Sequence, residues 1–373
     1  MRGYSLAFCV ALAACAPKPL RFTDAATERA ADVVSESSAD VVDDGPRDAA
    51  IDAIDATLDA IDGAVDGASD ARDEREASAP DAGPIGNRSC AMDPTREDCR
   101  IVAVNPTGTF CVGVDETASN PMWNASPPLC GLSLSPFYVD AYEVSVARFR
   151  VFDALWVARA LPAAIDARFA NGTTLRVPLP PRTYLPEWNP TQTACTYSDT
   201  PSLDRDRHPI NCVGWVLAMY FCAWEGGHLV TSTQYEYLAR HNGATTTEGR
   251  AYPWGETGPD CALVHYGPCA GDDGLRTRRV GSLGATGSVF DLAGNVADFV
   301  ADDFASYPTL AASACWTRST RDPLCQPTLA GSHYARGSSH ANSTELILRT
   351  VFRPSSASGD ASAIRGFRCA YLR

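Results

Sequence analysis

The chain has no basic patch, no Cys-x-x-Cys pair, no two histidines four residues apart and no apolar run long enough to cross a bilayer. Each absence closes a possibility. Without clustered Lys and Arg there is no electrostatic footprint for nucleic acid, and no nucleic-acid partner is expected. Without Cys-x-x-Cys, a zinc site of that type is not expected. The apolar stretch YSLAFCVALAA near the start is well short of the roughly 20 residues that span a membrane. A further gap matters most: no cysteine lies between Cys325 and Cys369, although the chain has 14 in all.

What is present divides the 373 residues into three parts. Residues 1–20 read as an export signal, with Arg2 ahead of a short apolar core. That core ends in Leu12-Ala13-Ala14-Cys15, which resembles a bacterial lipobox, so Cys15 is the expected lipidation site. Ala16 after the cysteine points to an exported, outer-membrane or cell-surface lipoprotein that meets the membrane through its lipid. Residues 21–87 carry 18 acidic and 5 basic side chains, so most of the net charge of −14 sits there. This Ala/Asp-rich stretch cannot bury enough apolar surface to offset chain entropy, and it reads as a disordered tether. As a flexible coil it would reach about 45 Å. Ile51, Ile54, Leu58, Ile61 and Val65 form a heptad-like stripe inside it that ends against Gly63 and Gly67, too short for more than a transient helix.

Residues 88–373 have a different composition, with twelve cysteines, aromatics, Gly and Pro in short apolar runs separated by turns. Export places them in an oxidising compartment, and an even cysteine count fits a disulfide framework. The spacing predicts a strand over Phe137–Asp140 and a helix from about Ser145. VGWVLAMYFCAWEGG reads as a buried helix stopped at Gly226-Gly227. TSTQYEYLARHNG opens with Thr231 and Gln234 at capping-box spacing and should end near Asn242-Gly243, with Tyr235, Leu238 and Ala239 facing inward. Beyond Tyr252 the chain is Gly-rich and mostly loops.

Taken in order, these segments resemble the formylglycine-generating enzyme family, also called sulfatase-modifying factors. FYVDAYEVSVARF is similar to the family's first strand and helix, and HPINCVGWVLAMYFCAWEGGHLVTSTQYEYLAR to its central helix pair. YPWGE matches the aromatic turn that follows. VFDLAGNVADFVAD matches the segment usually read D-x-x-G-N-V-W-E-W, and YARGSS and GFRCA match the closing R-G-G-S and G-F-R-C motifs. The resemblance covers roughly Pro136 to Arg373. It implies an irregular, loop-rich α+β fold with a C-type-lectin-like core.

The resemblance also implies a calcium ion at the Gly-Asn turn, held by the Asp291 and Asp298 carboxylates and the Gly294 and Val296 carbonyls, hard oxygen ligands of the kind calcium takes. Asp298 replaces the usual Glu and shortens one arm. The alternative is that the two aspartates cap turns and Asn295 is left-handed without metal. A second family calcium site needs an Asn that CALVHYGPC lacks, and it is not expected. The resemblance pairs Cys222 with Cys369. Proximity along the chain suggests Cys261–Cys269 and Cys315–Cys325. It also suggests Cys90–Cys99, Cys111–Cys130 and Cys195–Cys212, with the connectivity left open.

The family's enzymes oxidise a substrate cysteine to formylglycine through copper held by two cysteines after R-G-G-S. Here that stretch is RGSSHANSTELILR, without cysteine, so copper held in this way and formylglycine-generating activity are not expected. The candidate groove residues are His333, Ser339, His340, Asn342 and Arg353. Two readings follow: a non-catalytic module that binds a protein, peptide or glycan through the old groove, or an oxidoreductase holding non-haem iron through histidines, of which His333 and His340 are the best placed in sequence.

Overall fold

The structure is a computed structural model that describes residues 88–91, 93–113, 128–182, 194–201, 205–241, 250–269, 271, 276–305 and 319–373. The chain divides into two units, Met1–Asp73 and Glu74–Arg373, and every described residue belongs to the second. The leader, Cys15, the tether and Cys315 lie outside the described residues.

In chain order the strands and helices are β1 (Ile101–Val104), β2 (Phe110–Val112), β3 (Leu129–Leu132), β4 (Phe137–Asp140), α1 (Val146–Val157), β5 (Ala164–Arg168) and β6 (Thr174–Pro178). Next come α2 (Trp215–Trp224), β7 (His228–Leu229) and α3 (Ser232–Glu236), which continues as a π-helical turn over Tyr237–His241. The last third holds β8 (Ala285–Thr286), β9 (Val289–Phe290), β10 (Ala297–Asp303), β11 (Ser332–Arg336), β12 (Ser355–Ala357), β13 (Arg365–Phe367) and β14 (Cys369–Leu372). One four-stranded sheet runs β1-β4-β14-β7 and a second runs β12-β11-β10-β13. The C-terminal segment joins both sheets: β13 pairs parallel with β10, and after Arg368 β14 pairs antiparallel with β4 and β7. Short elements amid long loops make the α+β, loop-rich fold the motifs implied.

Local chemistry explains the element ends. Ser145 caps α1 by accepting the Arg148 amide at 3.1 Å. Arg148 points into the interior, where a lone cation would be costly, and meets Asp140 at 3.0 Å and Glu225 at 3.3 Å. Helix α2 is buried nearly all round, which its unbroken apolar run requires. Gly226, at φ 90°, turns the chain out of α2. Thr231 and Gln234 form both halves of a capping box on α3. That helix changes at Glu236 from an α-helix to the π-helical turn that carries the helical run on to His241. The wider turn after it sets Arg240 on the Gly113 carbonyl and beside Glu236. Among the described residues, no helix is long and apolar enough to cross a membrane.

The main core lies where α1 and α2 pack, with Phe149 on Phe221 at 5.6 Å and Phe152 against Trp224 at 5.3 Å between ring centres. Disulfides join Cys90–Cys99, Cys111–Cys130, Cys195–Cys212, Cys222–Cys369 and Cys261–Cys269. Cys325 is disulfide-bonded as well. Cys222–Cys369 ties α2 to the first residue of β14, far apart in sequence, and so locks the main core to the first sheet.

Candidate functional site

The site is built on the turn between β9 and β10, where Asp291, Gly294 and Asn295 all have positive φ. Gly294 is needed there: a Cβ on it would stand 2.3 Å from the His265 carbonyl oxygen. Asn295, at φ 54° and buried, ties the surrounding segments together. Its amide donates to the His265 carbonyl at 2.8 Å, and its own carbonyl accepts from both the backbone amide and Nδ1 of His340, each at 2.8 Å. Its side-chain Nδ2 donates to Glu143 at 2.7 Å and to the Arg278 carbonyl at 3.2 Å, while its Oδ1 accepts the Arg278 amide at 2.9 Å. Asn tolerates the left-handed conformation because its short polar side chain makes such local bonds.

Three buried carboxylates converge here. Glu143 accepts the Val296 amide at 3.2 Å, Asp291 accepts the Gly281 amide at 2.6 Å, and Asp298 Oδ2 accepts Arg368 Nε at 2.7 Å. The Arg368 guanidinium also donates to the Phe290 and Asp291 carbonyls at 2.8 and 3.2 Å. Burial pushes Asp291 up to about 7 and raises Asp298, and it raises Glu143 well above the carboxylate range with help from the charges of Asp291 and Asp298. One guanidinium serves three carboxyl groups, and only Asp298 pairs with it, so Asp291 and Glu143 escape the cost of buried charge by holding their protons. Asp298 Oδ1, fully buried, makes no hydrogen bond. No cluster of three or more His, Cys, Asp or Glu side chains able to hold a metal ion occurs among the described residues. Of the four expected calcium ligands, then, the Asp298 carboxylate presents one unused oxygen, and its other oxygen is held by Arg368.

The segment after β11 closes on itself. Asn342 Oδ1 accepts from Ser338 Oγ at 2.9 Å and from the amide and Oγ of Ser339 at 3.0 and 2.7 Å. A Cβ on Gly337 (φ 83°) would stand 2.3 Å from the Tyr235 hydroxyl, so the backbone hugs α3. Every cysteine among the described residues is disulfide-bonded, so no thiolate is available beside this turn.

The structure does not gather the predicted groove residues into one place. His333 is fully buried, stacks flat on Trp215 with ring centres 3.6 Å apart, and has Nδ1 3.1 Å from Asp303. Arg353 lies over the Tyr334 ring at 4.9 Å. His340 keeps other company, Asn295 and His265. The expectation that His333 and His340 share one iron finds no support in their neighbours: His333 lies against Trp215 and Asp303, and His340 against Asn295 and His265. Asp360 bonds Ser356 at 2.6 Å and Arg365 at 3.3 Å, a structural clasp. Arg336 pairs with Glu236 at 3.0 Å. A separate cavity of about 420 Å³ is lined by Pro178, Leu179, Pro180, Pro181, Val216 and Leu217 among others, and by none of the predicted site residues.

Three residues central to the site went unrecognised in the sequence. Glu143 lies in YVDAYEVS, where nothing marks it as facing the Gly-Asn turn from 152 positions away. Arg368 sits inside the G-F-R-C match, which flags its position and not its partner. His265 occurs in CALVHYGPC, and its placement beside His340 comes from the fold.

An irregular two-sheet α+β scaffold, stapled by at least five disulfides around a Gly-Asn turn and an R-G-S-S segment, defines the class. The chain belongs to the sulfatase-modifying factor family: the sulfatase-modifying factor enzyme 1-like domain matches residues 89–372. It is similar to the formylglycine-generating enzyme of Streptomyces coelicolor, with 30% identity over 295 residues, covering 71% of this chain and 87% of that one. It is similar to the bovine formylglycine-generating enzyme at 28% identity over 250 residues, covering 62% of this chain and 63% of the relative's length. Among solved structures, PvdO from Pseudomonas aeruginosa aligns with a TM-score of 0.49 at 23% identity, over 74% of this chain and 95% of that one.

Proposed function

We propose that this protein is a lipid-anchored, exported member of the family that binds a protein, peptide or glycan and does not convert cysteine to formylglycine. The observation that carries this is sulfur chemistry. The family's oxidation needs two free thiolates after the R-G-G-S turn, and soft thiolates are what hold reduced copper. Here Asn342 occupies that turn and closes it by accepting hydrogen bonds from Ser338 and Ser339. The sequence offers no cysteine between Cys325 and Cys369, and the described cysteines are all bridged.

The anchor is Cys15 and the spacer is residues 21–87, which together hold the domain away from an envelope surface. Calcium is the cofactor proposed for the Gly-Asn turn, with Asp291, Gly294, Val296 and Asp298 as ligands. The unused Asp298 Oδ1 and the surplus of buried carboxyl groups over guanidinium support it. When bound, the ion would take the place of the Asp291 proton and brace the turn on which Asn295 sits. These residues would then hold their positions without serving as reactants.

The test is direct. The purified, disulfide-oxidised protein is incubated with copper(I), oxygen and a cysteine-containing peptide, and the products are read by mass spectrometry. No aldehyde is expected; copper-dependent aldehyde formation overturns the proposal. Peptide and glycan arrays should in turn reveal a saturable ligand, and palmitate labelling should vanish in Cys15→Ala.

A further inference from the structure

We propose that the Cys261–Cys269 bridge is a redox switch: a dithiol partner opens it and so loosens the Gly-Asn turn and the R-G-S-S segment together. The bridge joins cysteines eight positions apart, and both are half-buried. Every other described bridge keeps at least one cysteine in the core: Cys90 with Cys99, Cys111, Cys212, and Cys222 with Cys369 are buried, as is Cys325. Exposed Cys130 and half-buried Cys195 are therefore bonded to a sulfur that packing holds in place, ready to re-form its bond. Exchange needs a thiolate to reach one sulfur and the other to leave, and exposed bridges are the labile ones. In the oxidising compartment that export implies, the closed bridge is the resting state.

The loop inside this bridge braces three segments through its backbone. The Leu263 carbonyl oxygen lies 2.4 Å from where a Cβ on Gly284 would stand. The His265 carbonyl accepts the Asn295 amide at 2.8 Å, against Gly294, where no Cβ fits. The Gly267 amide donates to the Asn342 carbonyl at 2.8 Å, and Asn342 in turn holds Ser338 and Ser339. One short ring thus ties the Gly-Asn turn to the R-G-S-S segment, and closing it limits the conformations the loop can leave for. The opening step is a two-electron exchange. A thiolate of the partner attacks one sulfur, the Cys261–Cys269 bond breaks, and a mixed disulfide forms. The partner's second thiol then closes its own disulfide and releases Cys261 and Cys269 as thiols. The partner is oxidised and the bridge reduced, with two protons passing to the released sulfurs.

The test uses the full oxidised chain in graded dithiothreitol, with thiols trapped by N-ethylmaleimide and mapped by mass spectrometry. Cys261 and Cys269 should be labelled at a roughly tenfold lower dithiothreitol concentration than any other described bridge. In that partly reduced protein, amide hydrogen exchange at Gly267 and Asn295 should speed at least about tenfold, while the amides inside α2 keep their rates. Reoxidation should restore slow exchange. The Cys261→Ser/Cys269→Ser variant should exchange fast without reductant; if it fails to fold, the graded reduction of the wild type still decides. Another bridge opening first or at the same concentration overturns the proposal, as does opening with unchanged exchange at Gly267 and Asn295. The effect on ligand binding rests on the binding-module reading, and the two fail separately. A ligand found on the arrays that binds both redox forms equally would overturn control of binding and leave that reading intact. Arrays without any ligand would overturn that reading, with hydrogen exchange still deciding the switch.

Discussion

Replacing Asn295 by alanine removes the side chain on which the Glu143 and Arg278 segments converge. Three hydrogen bonds go with it: one to the Glu143 carboxylate at 2.7 Å and two to the Arg278 backbone at 2.9 and 3.2 Å. A buried bond to a carboxylate contributes about 2 kcal/mol and each neutral one about 1 kcal/mol or less. Alanine at φ 54° adds a left-handed strain of about 1 kcal/mol that Asn largely avoids. The expected loss is about 4 kcal/mol, a large share of the 5–15 kcal/mol typical of a domain. At roughly 2–4 °C per kcal/mol for a domain of this size, the melting midpoint should fall by about 10 °C. Thermal unfolding by circular dichroism, with disulfides intact, measures it. Asn295→Gly loses the same bonds without the strain and should recover about 1 kcal/mol. Should the alanine variant melt within 2 °C of wild type, Asn295 is not the tie described here. Equal midpoints for Ala and Gly would refute the backbone part alone.

The remaining predictions concern other links of the structure. The double variant Cys222→Ala/Cys369→Ala opens a loop of 147 residues and should lose about 5 kcal/mol on the chain-entropy model, read as a lower denaturation midpoint; a loss under 1 kcal/mol would show the bridge is not holding the core. In the metal-free protein, burial has raised Asp291 to about 7, so the folded state retains a proton that the unfolded chain gives up. That contribution is complete below about pH 4 and is lost as pH rises to about 7, up to about 4 kcal/mol. Melting in chelator should show this fall, and Asp291→Asn should flatten it. Added calcium should raise the midpoint more at pH 7.5 than at pH 5, because the Asp291 carboxylate it needs is mostly ionised only at the higher pH. Thr231→Ala breaks the capping box on α3 and should cost about 1 kcal/mol, a shift of a few degrees.

Much of the scaffold was legible because its signals are local. Thr231 with Gln234 ahead of α3 is a capping box read over four residues, and it is made in the structure, while the helix expected from about Ser145 does begin there. The unbroken apolar run of α2 and its Gly226 stop needed no partner to be recognised. The order of six short motifs was enough to reach the family, since such motifs record backbone constraints such as the left-handed turn at Gly294. The helical run after Thr231 reaches His241, next to the expected stop at Asn242-Gly243, but its change to a π-helical turn at Tyr237 carried no local signal; there Arg240 reaches Gly113, a residue 127 positions away.

The sequence by itself determined the leader-like start, the acidic middle, the cysteine-rich folded part and the loss of thiols after R-G-S-S, all of which follow from residue type and position along the chain. Only the tertiary structure decided which buried charges meet. It set Glu143 against the Gly-Asn turn, gave Asp298 to Arg368, and placed His340 beside His265 and not His333. The physical reason is that carboxylates, guanidinium and imidazole carry no local pattern that names a partner. Their pairing depends on which loops the two sheets bring within a few ångströms, and that is fixed by packing across more than a hundred residues of chain.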